Sequence, residues 1–308
     1  MELVRGLHNL CPRHRGCAAT IGNFDGVHRG HQAVLEQLSR RAAELQLPLT
    51  VITFEPQPRE FLSPGSAPPR LTRLREKLET LGRLGVDRVV CLRFDTFLAG
   101  LPADDFIRVI LVEGLAVRYL VVGDDFRFGR QRAGNFALLE QAGTRQGFPV
   151  AAMQTFDIDG SRVSSTRIRR ALERGDLELA KTLLGRPYGM CGRVAHGDKR
   201  GRTIGFPTAN IYLHRAVSPV AGVFAVELHG LPGAPLQGVA NVGTRPTVDG
   251  TRSQLEVHLF DFDRDIYGCH VQVSFLRKLR EEQRFDSFET LQTQIQRDAE
   301  QARAFFLQ

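Results

Sequence analysis

The sequence predicts an α/β domain with a parallel sheet, followed by a small antiparallel β-barrel domain and a C-terminal helix. Three observations carry this. Short apolar or β-branched runs alternate with helical patterns through the first half. Near Leu184 that rhythm gives way to strand-length runs split by glycine and proline. One amphipathic stretch, from about Ser287 to Phe306, closes the chain. Strand and helix in alternation mark parallel strands covered by helices, and serial short strands between turn residues mark a small barrel.

Taken in order, the strand-like runs of the first half are CAATIG, PLTVITFE, RVVCLRF, RYLVVG and PVAAMQTF. Between them lie the helical patterns HQAVLEQLSRRAAELQ, TRLREKLETLGRLG and ADDFIRVILVEGL. SPGSAPPR, Ser63–Arg70, reads as an exposed loop. Ligands of open parallel sheets bind beyond the carboxyl ends of the strands. Gly22–His31, Glu55–Pro58 and Gly123–Gly129 each follow a strand, so they are expected along one edge. Gly185 and Pro187 end a short helix and set the domain boundary, giving domains 1–185 and 186–308. The second contains GVFAVELHG, LQGVANVGTRPTV, SQLEVHLFDFD and CHVQVSFLRKLR.

A chain of 308 residues with 42% hydrophobic and 24% charged residues builds real cores and is not disordered. A net charge of +7 points to anionic partners. The arginines are dispersed and no run of like charges appears, which disfavours nucleic acid and suits small polyphosphates. Five cysteines, odd in number, scattered and without C-x-x-C, argue against a disulfide framework or a structural zinc site. No signal-like apolar core and no run of membrane-spanning length is seen, so a soluble cytoplasmic protein without a membrane partner is expected.

In ATIGNFDGVHRGHQ, His28 and His31 stand three residues apart where a glycine-punctuated turn enters a helix, so they share a face. A helix start has unpaired N–H groups and partial positive charge, which attract phosphate. Gly22, Gly26 and Gly30 allow close backbone approach. The plainer alternative is a pair of exposed histidines capping the helix, and a zinc site lacks further ligands. Later, Ser164, Ser165 and Thr166 open a helix among Arg162, Arg167 and Arg169. Hydroxyls there ordinarily cap the helix, whereas arginines packed about the same start suit a triphosphate clamp.

In the second half, Gly192, Gly197, Gly201 and Gly205 punctuate a basic loop with Lys199, Arg200 and Arg202, and no Walker P-loop is present. In FPTAN, Thr208 and Asn210 put neutral oxygens on one side of an extended segment. Such oxygens, together with substrate phosphates, commonly hold Mg²⁺. An ordinary turn and strand is the alternative. In SQLEVHLFDFD, Leu255, Val257 and Leu259 alternate onto one face and leave Glu256 and His258 on the other.

H-x-G-H after a first strand and S-S-T-x-x-R on a late loop resemble the nucleotidyltransferase superfamily. More narrowly, TIGNFDGVHRGHQ, FEPQP, VGDDFRFG and VSSTRIRRAL resemble the bacterial bifunctional riboflavin kinase/FAD synthetase family, and P-T-A-N resembles its flavokinase signature. The resemblance covers the whole chain. It implies a Rossmann-like nucleotidyltransferase domain that transfers AMP from ATP to FMN, giving FAD and pyrophosphate, and a barrel that phosphorylates riboflavin to FMN. His28 and His31 would hold ATP phosphates with Gly22, Asn23, Phe24, Asp25 and Gly30. Ser164, Ser165, Thr166 and Arg169 would close over the β- and γ-phosphates, with Arg162 on the pyrophosphate.

Asp125, where some relatives carry asparagine, is placed at the flavin or adenine, and Phe126 and Phe128 at a flavin pocket unless they are core. In the barrel the resemblance places ATP on Gly192, Gly197, Arg202, Gly205, Thr208 and Asn210, Mg²⁺ on Thr208 and Asn210, and the general base at Glu256. His258 is left structural. Arg280, in the segment Leu276–Ser287, is the expected flavin contact. ATP is the co-substrate of both steps, and a monomer or weak homo-oligomer is expected. The alternatives are an adenylyltransferase for another phosphorylated cofactor precursor, against which P-T-A-N and Glu256 argue, and a degenerate protein that senses flavins or binds RNA.

Overall fold

A computed structural model describes residues 1–308 except 154, 197–205, 216, 248 and 249, with backbone alone for 244–247 and 250–252. By contact density it divides into two compact units: Met1–Pro68 with Thr72–Ser164, and Pro69–Leu71 with Ser165–Gln308.

The first unit is a six-stranded parallel sheet. Its strands are β1 (Glu2–Arg5), β2 (Ala18–Ile21), β3 (Leu49–Glu55), β4 (Arg88–Arg93), β5 (Tyr119–Gly123) and β6 (Val150–Met153), in the order β1-β4-β3-β2-β5-β6. The five strand runs read from the sequence are all present. β1 is an edge strand too short for an alternation signal. A parallel sheet covered on both faces needs apolar residues at successive positions. β2 meets this with four buried residues in a row.

Ala19, Ile21, Ile52 and Val90 face one core, and Ala18, Val51, Val89 and Val121 face the other. Helices α1 (Arg29–Glu44), α2 (Pro58–Leu62) and α3 (Leu74–Arg83) follow β2 and β3. Leu35 and Leu38 of α1 and Leu81 of α3 fill the second core. Helix α4 (Thr96–Gly100) leads to α5 (Ala103–Phe106), which continues as a π-helical stretch, Ile107–Gly114, and α6 (Phe136–Gln146) follows β5; these pack the first core. The strand order reverses between β2 and β5, so the loops after these strands flank the switch point, where open sheets take ligands. A small hairpin, β7 (Asp157–Ile158) with β8 (Ser161–Arg162), completes the unit.

The second unit is a closed antiparallel barrel in the order β10-β13-β12-β11-β14-β9. Its strands are β9 (Tyr188–Ala195), β10 (Thr208–Tyr212), β11 (Gly222–His229), β12 (Leu236–Thr247), β13 (Gly250–Leu259) and β14 (His270–Arg280). Closure removes the unpaired edges that an open sheet of this size would leave. Ile211, Val226, Ala240, Leu255, Val257 and Val273 fill the interior. Helices α7 (Ser165–Glu173) and α8 (Leu177–Leu184) belong to this unit by contact, although they precede the boundary read at 185/186. Helix α9 (Phe288–Phe306) starts at the capping residue Ser287 and lays Ala299 and Ala302 against Ala225 and Phe260.

Candidate functional site

In the first unit the turn Gly22–His28 leaves the end of central strand β2 and delivers His28 to the N-cap of α1. The turn is held from beneath. The backbone N–H of Thr72 donates to Asp25 Oδ1 at 2.9 Å, and Gly26 N–H donates to Thr72 Oγ1 at 2.9 Å. Asp25 and Phe24 are both 2% exposed. Their visible work is to shape the loop, while Asn23 is exposed beside them.

His28 combines the two readings of the sequence. Its Nδ1 accepts from His31 N–H at 3.3 Å, an N-cap bond that leaves the neutral ring's proton on Nε2. The His28 and His31 rings stack at 3.6 Å and 15°, and Phe24 backs His31 at 4.8 Å. Gly30 makes room for the stack, since a Cβ there would lie 3.2 Å from His28 Nδ1 and 3.6 Å from the Val163 carbonyl. Gly22 does the same for the Phe24 ring, 3.2 Å from its would-be Cβ.

His31 Nδ1 is buried and has no hydrogen-bond partner among the described residues. Burial first, then unfavourable electrostatics from the side chains of His28, Lys77 and Arg162, push the His31 pKa well below the ordinary imidazole value. The ring is therefore neutral at pH 7 in a cationic environment. A buried, unsatisfied imidazole there suits a polyanion.

Lys77 was not singled out from the sequence. It is 1% exposed on α3, and its Nζ lies 3.5 Å from Thr53 Oγ1, which in turn donates to the Asn23 carbonyl at 3.4 Å. Its spacing of four from buried Leu81 was the available signal. Arg162 Nη1 donates to Asp125 Oδ2 at 2.7 Å; this hydrogen bond lowers the Asp125 pKa and raises that of Arg162. Both side chains are about half exposed, so the pair contributes at most about 1 kcal/mol and can open toward a ligand.

Phe128 is 5% exposed and packs on Phe106 at 5.2 Å, so it is core, as its alternative reading held, with Phe126 stacked beside it at 5.6 Å. Ser164 ends the first unit. Ser165 and Thr166 begin α7 in the second, and Arg169 Nε donates to the Pro69 carbonyl at 2.6 Å.

In the barrel, β10 and β13 pair so that Thr208 faces His258 and Asn210 faces Glu256. Facing residues of an antiparallel pair project to the same side. The apolar alternates Leu255, Val257 and Ile211 are buried inside, so this polar ladder is on the outer wall. Gln254 joins it, donating from Nε2 to Glu256 Oε1 at 2.6 Å and to Asn210 Oδ1 at 2.8 Å. His258 Nδ1 lies 3.0 Å from the Pro207 carbonyl and so anchors the segment leading into Thr208.

Gly192 also has a packing reason to be glycine. It lies within β9, and a Cβ would come 2.5 Å from the Tyr212 carbonyl oxygen, so close strand approach explains it. Gly197, Arg202 and Gly205 lie outside the described residues. Arg280, the expected flavin contact, has a structural partner. Its guanidinium makes bonds of 2.9, 3.0 and 2.7 Å to Asp298 of α9, which is 2% exposed, so it anchors the helix. Asp298 lies one turn before buried Ala302, a periodicity visible in the sequence.

A helix-start histidine pair at a sheet switch point, joined in one chain to a barrel bearing P-T-A-N opposite a glutamate, defines a protein with two sites for phosphate chemistry. The family models agree unit by unit: FAD synthetase matches residues 11–167 and riboflavin kinase matches residues 184–306. The chain is 55% identical over 99% of its length to the bifunctional riboflavin kinase/FMN adenylyltransferase of Escherichia coli K12, and covers 98% of that protein. It is 53% identical over 99% of its length to the protein of that name from Haemophilus influenzae, covering 99% of it. The chain belongs to the bifunctional riboflavin kinase/FMN adenylyltransferase family.

A crystal structure described as a macrolide-efflux protein from Streptococcus pneumoniae superposes with a TM-score of 0.82 at 30% identity, over 98% of this chain and 99% of that one. Among the described residues here, no helix is long and apolar enough to cross a membrane.

Proposed function

We propose that the barrel, residues 186–308, phosphorylates riboflavin with ATP, and that residues 1–185 transfer AMP from a second ATP to the FMN formed. What supports this most is that the FAD synthetase and riboflavin kinase models match successive stretches of one chain, residues 11–167 and 184–306, each carrying the family's motif residues.

In adenylyl transfer the FMN phosphate oxygen attacks the α-phosphorus of ATP and pyrophosphate leaves. No protein nucleophile is needed, so the work is positioning and charge stabilisation. His28, with Nδ1 engaged at the N-cap, donates from Nε2–H to a phosphate oxygen. His31 donates beside it. Lys77 and Arg162 supply positive field, and Arg162 exchanges Asp125 for phosphate. Ser165, Thr166 and Arg169 are assigned to the β- and γ-phosphates on the strength of the S-S-T-x-x-R motif.

In the kinase reaction Glu256 takes the proton of the ribityl 5′-hydroxyl as that oxygen attacks the γ-phosphorus and ADP leaves. Thr208 and Asn210 share a face of β10, and their neutral oxygens suit a cation that arrives with nucleotide phosphates, so they are the residues that would hold Mg²⁺. When bound, that ion would neutralise phosphate charge. The same proposal places the protein in the cytoplasm, where five cysteines outside any disulfide are at home, as a monomer or weak homo-oligomer without a nucleic-acid partner.

Paired variants test the assignment. His31→Ala is expected to reduce FMN adenylylation by roughly a hundred- to a thousandfold and spare riboflavin phosphorylation. Glu256→Gln is expected to do the converse. Folded variants that lose both activities together would overturn the two-site assignment.

A further inference from the structure

We infer that Gln254 is a positioning residue for the kinase reaction, fixing both the carboxylate of Glu256 and the amide of Asn210. The inference rests on the roles proposed above for those two residues. Gln254 precedes Glu256 by two positions on β13, so alternation puts both on the outer face of the barrel. Its register partners are Tyr212 on β10 and Gly243 on β12. At Gly243 the absence of a side chain leaves room for the Glu282 carboxylate.

The chemistry of the three groups fixes their orientation. An ionised carboxylate only accepts, so the Gln254 atom 2.6 Å from Glu256 Oε1 must be the amide nitrogen. That nitrogen has two hydrogens, and the second points at Asn210, 2.8 Å away. Asn210 must then present its oxygen on that side, the atom type a cation requires. A carbonyl oxygen has two lone pairs, so accepting from Gln254 leaves one able to face a metal. The negative charge of Glu256 thus sets, through one glutamine, which end of Asn210 meets the ATP–metal group. The same bond on Oε1 fixes the rotation of Glu256 and so the direction of its other oxygen toward the substrate hydroxyl.

Gln254→Leu removes both donors at similar volume, and Gln254→Glu keeps the shape while placing a second acceptor against Glu256. Riboflavin phosphorylation, its Mg²⁺ dependence and FMN adenylylation are measured on the full chain, with Glu256→Gln in parallel. Both Gln254 variants are expected to lose roughly ten- to a hundredfold in kinase kcat. The Mg²⁺ concentration for half-activation should rise several-fold, the KM for riboflavin should stay within about twofold, and adenylylation should be unchanged. If Glu256→Gln is inactive as a kinase while both Gln254 variants keep wild-type kcat and Mg²⁺ dependence, the inference is overturned and the base assignment stands. If Glu256→Gln keeps full kinase activity, the base assignment fails and the inference fails with it. Should Gln254→Leu fold poorly, as judged by riboflavin binding, Gln254→Glu carries the test.

Discussion

Gly30 offers a substitution whose effects on stability and on catalysis separate. In Gly30→Ala the new methyl would lie 3.2 Å from His28 Nδ1 and 3.3 Å from its Cε1, so the ring must yield by a few tenths of an ångström. It cannot yield freely, because His31 stacks on it at 3.6 Å and the 3.3 Å N-cap bond ties the two residues together. For folding, the terms oppose. Alanine improves helix propensity by up to about 1 kcal/mol over glycine, and weakening the cap costs a similar amount, about 1 kcal/mol. Net stability should therefore stay within about 1 kcal/mol of wild type by denaturant titration.

Catalysis has no such offset. A misplacement of about 1 Å costs on the order of a hundredfold, so a few tenths should lower kcat for FMN adenylylation by roughly tenfold. Riboflavin phosphorylation in the same preparation serves as the control and should be unchanged. Adenylylation within twofold of wild type in a folded Gly30→Ala protein would refute the claim that the stacked histidine pair is the working part of the site.

His31 gives a pH signature. Its folded pKa is depressed by burial and by His28, Lys77 and Arg162, while unfolded histidine titrates near about 6.5. The unfolded chain therefore takes the proton first, so this stability is complete above about pH 6.5 and declines as pH falls below it. Polyphosphate favours the protonated ring, and ATP binding near pH 6 should take up protons; calorimetry in buffers of different ionisation enthalpy checks this, and no uptake contradicts it. Lys77→Met should raise the His31 pKa, read from its ring resonances, and an unmoved titration would remove Lys77 from the electrostatics of the site. Arg280→Leu leaves buried Asp298 without its cationic partner, the Gln294 amide still donating to it at 2.9 Å, and should destabilise the second unit by about 3 kcal/mol. A residue serving only flavin contact would change the KM for riboflavin and leave the unfolding transition in place.

The sequence carried those features that follow from periodicity. CAATIG and PLTVITFE became buried parallel strands because both faces of that sheet are covered, and the alternation in SQLEVHLFDFD put Leu255 and Val257 inside and Glu256 outside. The His28–His31 spacing translated directly into a stacked pair. Choices of partner did not follow from periodicity, because they are made in three dimensions. The sequence around Arg280 carries no sign of Asp298, which α9 brings to it. At Gly192 the sequence gives no hint that the backbone of β10 approaches too closely for a side chain. Asp25 matched a motif, and only the fold shows its carboxylate on Thr72. Lys77 resembled any solvated lysine of an amphipathic helix, yet its face of α3 is turned into the protein.

The most direct test of two cooperating sites is to incubate the pure wild-type protein with riboflavin, ATP and Mg²⁺ and to resolve the flavins by chromatography over time. FMN should appear first and FAD should follow at its expense, with one ATP used at each step. A well-folded protein that yields neither flavin product would contradict the account.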